Sequence, residues 1–123
     1  MILKYITPAA KAVAIGILIA SAASTATAES LAGSAGNKRH AVFFSPYLQG
    51  NCREAYDAYV AAPGHSAYAS TVSGRNIPYF ICGLHRNAPS QKQAEEFALK
   101  NCEAGLRKYK FRTASACNIV ASK

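Results

Sequence analysis

Acidic residues are scarce in this chain. Six Asp and Glu stand against fourteen Lys and Arg, and Asp57 is the sole aspartate. A glycosidase needs two carboxylates facing one cleft. Here Glu54, Asp57, Glu95, Glu96 and Glu103 fall on expected helices, mainly away from the apolar stripes, so capping and solvation account for them. Histidine is rarer still, at 40, 65 and 85. No G-x-S-x-G elbow is present to raise a nucleophilic serine. No C-x-x-C is present either, which argues against a thioredoxin-like redox centre. No His sits close to a Cys pair at zinc-ligand spacing, so the residues indicate neither a metal nor a cofactor. The chain shows no internal repeat and no second domain.

Its first residues point to export. Lys4 and Lys11 form a basic stretch, Ala12 to Ala23 is apolar and short, and Ala26-Thr27-Ala28 has the small residues of a cleavage site. Residues 1–28 therefore read as a signal peptide, leaving 95 residues from Glu29 to Lys123. The rival reading is an uncleaved anchor, but the apolar run is too short for a confident membrane span. No span is expected after cleavage, and no cysteine follows the site to carry a lipid. Cleavage removes two cations and no acids, so the remaining net charge is +6. That sign favours nucleic acid, phospholipid headgroups or acidic polymers as partners, although solubility alone also explains it.

All four cysteines, Cys52, Cys82, Cys102 and Cys117, lie after the expected cleavage site. An even count in a small exported chain reads as disulfides, with three possible pairings. So short a domain buries only about two-thirds of its unfolded surface, so crosslinks matter to it.

Asn51 to Ala61 is the clearest helix. Asn51 suits the N-cap with Glu54 at N3, and Cys52, Ala55, Tyr56, Tyr59 and Val60 form one stripe before Pro63-Gly64. A second helix follows Pro89, with Ser90 as cap, Gln93 completing a capping box and Gly105 expected to end it. Its stripe is Ala94, Phe97, Ala98 and Cys102. Strands are expected over Ser66 to Val72, Pro78 to His85 and Ala116 to Ala121, with a turn at Ser73-Gly74-Arg75-Asn76. Phe80, Cys82 and Leu84 then share one strand face, and Cys117, Ile119 and Ala121 another. Those faces favour Cys52–Cys82 and Cys102–Cys117 over the other pairings, each bond tying a helix to the sheet. Closing the 102–117 ring contributes about 3 kcal/mol in the chain-entropy model.

Residues 29–45 read as a flexible lead-in rich in Ala, Gly and Ser, although Ala41-Val42-Phe43-Phe44 is either a short strand or a packed segment. Residues 46–123 form one domain. The fold class expected is α+β, a small antiparallel sheet of about three strands with two helices on one face, stapled by disulfides.

The run Cys52-x-x-Ala55-Tyr56-x-x-Tyr59-Val60-x-Ala62-Pro63-Gly64-His65, followed by Ala67-Tyr68-Ala69, resembles small exported alphaproteobacterial proteins of unknown function. Ala94, Ala98-Leu99, Cys102 and Cys117-Asn118-Ile119-Val120 make the second half similar to the bacterial domain-of-unknown-function family DUF4189. The resemblance spans about two-thirds of the chain and implies a disulfide-bonded α+β domain with no assigned activity. It brings no catalytic residues.

One stretch carries a functional suggestion. In Arg107-Lys108-Tyr109-Lys110-Phe111-Arg112, four cations interleave with two aromatics inside the expected Cys102–Cys117 ring. Such a composition grips phosphates, stacks on bases or inserts among headgroups. It serves equally as a solvated connection. The expectation is a non-enzymatic binding or envelope-associated protein of the periplasm or beyond, with Arg107, Lys108, Lys110 and Arg112 contacting an anionic envelope component or a protein partner. A secreted effector acting on a host partner is one alternative. A small hydrolase or inhibitor-like protein using His65 or His85 is the other, although His65 also fits a helix-to-strand turn after Pro63-Gly64.

Overall fold

The computed structural model describes residues 29–73, 77, 79–109 and 115–123. The expected signal peptide, most of the 73–76 turn and residues 110–114 lie outside them. The element order is β1 (Asn37–Lys38), α1 (Cys52–Ala61), β2 (His65–Ser70), β3 (Cys82–Ala88), α2 (Gln91–Tyr109) and β4 (Asn118–Ser122). The strands form one antiparallel sheet in the order β1-β4-β2-β3. The fourth strand comes from the expected lead-in, where Asn37 and Lys38 pair with Ser122 and Ala121. The Ala41–Phe44 run forms no strand; its Phe44 packs 5.8 Å from Tyr56 and 6.2 Å from Phe80.

The two helices cover opposite faces of the sheet, not one face as expected. Along β2, Ala67 and Ala69 pack with Ala94, Ala98 and Cys102 of α2. Tyr68, between them, packs with Tyr59 of α1. Side chains alternate along a strand, so these partners lie on different sides. From Ser66 to Ser70 every residue of β2 is buried, as a central strand between two helical layers must be. Register supports the same division. Tyr68 pairs with Ala121 and Ala69 with Ile119, so β4 carries one extra residue, Val120. This bulge turns both Val120 and Ala121 toward the α1 layer and leaves Ile119 with α2.

Each layer has its own disulfide. Cys52 of α1 bonds Cys82 of β3, and Cys102 of α2 bonds Cys117 just before β4. The Cα separations of 5.8 and 6.1 Å are ordinary for the bond. Among the described residues no cysteine is free.

Small residues allow α2 to approach closely. A Cβ on Gly83 would run into the backbone N of Cys102 and O of Ala98. Ala67 and Ala69 complete that flat floor. Gly105 does not end the helix, which continues to Tyr109. A Cβ there would come within 2.9 Å of Ile81 Cγ2, so Gly105 too serves close packing. Ser90 caps as expected, its Oγ accepting from Gln93 N at 3.2 Å. Asn51 makes no side-chain cap; only its carbonyl accepts, from Ala55 N.

Lys123 ties the segment before β1 to the end of α1. The Lys123 ammonium donates to the carbonyls of Leu31 (2.7 Å), Val60 (2.9 Å), Ala62 (2.7 Å) and Ser34 (3.2 Å). It also lies 5.3 Å over the Tyr59 ring. Val60 and Ala62 sit at the C-terminal end of α1, where orphan carbonyls and the helix dipole favour a cation. Burial lowers the Lys123 pKa. Nearby, Tyr59 Oη donates to Ala35 O at 2.7 Å. The segment 31–38 is thus hydrogen-bonded to the domain at several points.

Candidate functional site

The basic segment begins as helix. Because α2 runs past Gly105, Arg107 and Lys108 belong to its last turn, where cations complement the dipole. Both are exposed, and Tyr109 beside them is 51 % exposed. The Lys108 ammonium lies 5.4 Å over the Tyr109 ring. Lys110 and Arg112 lie outside the described residues. The turn projects beyond Cys102, which the disulfide to Cys117 anchors on the α2 face. Ser115, on the return path, accepts from Val72 N at 2.8 Å. Next to this end is a cavity of about 120 Å³ lined by Cys52, Tyr79, Cys82, Gly105 and Tyr109. Exposed cations and an exposed aromatic beside a concave wall suit contact with an anionic, partly apolar partner.

The histidines are placed differently. His65 is exposed at the start of β2, its Nδ1 3.3 Å from Lys123 O. It lines a cavity of about 360 Å³ with Glu29, Leu31, Pro63, Gly64, Asn87 and Ala88. His85 is not part of that lining; its ring packs 4.7 Å from Phe97 of α2. Among the described residues neither histidine hydrogen-bonds a carboxylate. A third hollow of about 170 Å³, where β2 ends and β4 begins, is lined by His40, Ser70, Thr71, Ser73 and Asn118.

Among the described residues Glu95 is a carboxylate with several partners. It accepts from Ser122 Oγ and from Arg39 Nη2, both at 2.6 Å, while Gln91 Nε2 donates to Ser122 Oγ at 2.9 Å. Ser122 is fully buried, so this chain of bonds straps α2 to β4 and to the segment after β1. Arg39, expected in a flexible lead-in, is held by Glu95 and by its own N–H to Val120 O at 2.7 Å. Among the described residues no three His, Cys, Asp or Glu side chains converge as a metal cluster. No described helix is long and apolar enough to cross a membrane.

The residues that sequence reasoning overlooked are Lys123, Gly83 and Asn101. Asn101 Nδ2 donates to Leu84 O at 2.8 Å, on the outer edge of β3. Only Gly83 had a local signal, as a glycine inside an expected strand, which often marks close backbone approach. No family profile, curated protein or solved structure matches the chain.

Proposed function

We propose that this protein is an exported, disulfide-stapled binding domain that meets an anionic partner through the basic end of α2. The observation that carries the reading is the exposed pair Arg107 and Lys108, set with Tyr109 on a helix end anchored by Cys102–Cys117. A helix turn holds its side chains with less freedom than a loop, so less entropy is lost on binding. The excess of cations supplies long-range attraction to the same partner. Two disulfides with no unpaired thiol among the described residues suit an oxidising compartment, in agreement with the expected cleavage after Ala28.

Binding to inorganic polyphosphate and to vesicles of phosphatidylglycerol tests the reading. Affinity should fall steeply with salt, through screening and counterion release. The double variant Arg107→Ala/Lys108→Ala should bind about tenfold more weakly, the loss of two charge-assisted contacts. Lys38→Ala removes one charge from the opposite edge of the sheet and should change little. Equal binding by the double variant and the parent would reduce the basic turn to a solvated helix end.

A further inference from the structure

The strand order leaves β3 at one edge of the sheet, and among the described residues no strand pairs with its outer side. Which backbone groups face outward follows from the register. Thr71 N donates to Ile81 O, and Ala69 pairs with Gly83 and Ala67 with His85 in the same frame. Residues 81, 83 and 85 therefore turn their N–H and C=O toward β2. Cys82, Leu84 and Arg86 turn theirs away from the sheet. Asn101 Nδ2 already donates to one of these outward carbonyls, that of Leu84, at 2.8 Å, so an N–H of an incoming strand takes the place of this side-chain donor. The flanks of the edge are basic and partly apolar. Arg86 is exposed at its end, Phe97 is 44 % exposed against His85, and the Lys100 ammonium lies 5.6 Å from the Phe97 ring.

We propose that the outer edge of β3 receives an extended acidic polypeptide segment, which adds to the sheet as a further strand. The proposal rests on the anionic-partner reading above and narrows it to one class of partner. Nucleic acid and lipid headgroups satisfy the cations but leave the row of outward amides without a matching row of carbonyls; an extended peptide supplies both. A second copy of this chain is disfavoured, because it brings Arg86, Lys100 and the same positive net charge to the same edge. An acidic segment brings the opposite sign.

The probe is a synthetic peptide matching the seven residues of β3 in length, with glutamate alternating with valine. Two further versions carry methyl groups on one or the other set of alternate backbone nitrogens. Calorimetry at low salt should show binding of the parent peptide. One methylated version should bind about tenfold more weakly and the other as the parent, because only one set faces the edge. The amides of Cys82, Leu84 and Arg86 should become protected from hydrogen exchange in the complex. Arg86→Pro removes an outward N–H and a charge, whereas Arg86→Ala removes the charge alone, so the proline variant should lose more affinity. The methylated peptides test the unaltered protein, whatever the folding of Arg86→Pro. Equal binding by all three peptides would overturn the added strand and leave the anionic-partner reading standing. So would binding of polyphosphate without any binding of peptide. If neither probe binds at low salt, the anionic-partner reading fails and this proposal with it.

Discussion

Removing one oxygen from Tyr68 should make the protein more stable. The Tyr68 side chain is 1 % exposed, and its hydroxyl has no hydrogen-bond partner among the described residues. Burial pushes its pKa upward, as expected of a phenol held away from water. A buried donor without a partner costs about 1–3 kcal/mol, and Phe releases most of that cost. The ring's edge contact with Tyr56, at 5.3 Å, needs no oxygen and survives the change. Tyr68→Phe should therefore gain about 1 kcal/mol, which in a domain of this size raises the melting temperature by about 4–8 °C. Tyr59→Phe is the matched contrast. It lies in the same cluster, but its hydroxyl donates to Ala35 O, so its loss should cost about 1–2 kcal/mol. Thermal and urea unfolding with disulfides intact, at unchanged m, measures both. A Tyr68→Phe protein less stable than the parent by 1 kcal/mol or more, on the same scale, would refute the reasoning, because the hydroxyl would then have to be satisfied.

Gly83→Ala should cost about 3 kcal/mol, since its Cβ meets helix backbone, whereas Gly105→Ala meets one methyl group and regains helix propensity, so it should cost far less; urea midpoints rank the two. Lys123→Met should cost about 3 kcal/mol by leaving carbonyls of 31, 60 and 62 without their cation, and the Gly33 amide, which donates to Val60 O, should exchange faster with solvent. Replacing Cys102 and Cys117 together by Ser should lower stability by about 3 kcal/mol. Alkaline stability should be governed by the buried tyrosines. Burial and the neighbouring Tyr56 push Tyr59 up to about 12, above its ordinary 10.0, so its contribution is whole below pH 10.0 and is lost as pH rises through about 12. Burial also raises Tyr68 and Tyr56, with the same sign, while lowered Lys123 acts oppositely just below 10.5. Tyrosinate absorbance should therefore lag behind that of a free phenol until the protein unfolds; ionisation of all tyrosines at the free-phenol pH, with the fold intact, would contradict this.

Much of the architecture could be read from local patterns. The stripe from Cys52 to Val60 marks α1, Ala94, Ala98 and Cys102 mark α2, and both disulfide pairs follow from cysteines that point to strand and helix faces. These features rest on periods of 3.6 and 2, which belong to a few neighbouring residues and are visible without the fold. Of the basic segment, its composition was legible but not its form: Arg107 and Lys108 sit on helix because Gly105 packs against Ile81 instead of turning the chain. The rest depended on residues far apart in the chain. Ala67 and Tyr68 look alike in being apolar, so their alternation cannot say that one meets α2 and the other α1. Asn37–Lys38 has no strand pattern and becomes a strand by pairing with β4. The open edge at β3 exists because β4 inserts between β1 and β2, and the Lys123 cage gathers carbonyls from 31, 34, 60 and 62. Hydrogen bonds and close packing act over a few ångströms in space whatever the separation along the chain, so only the folded arrangement decides which distant groups they join.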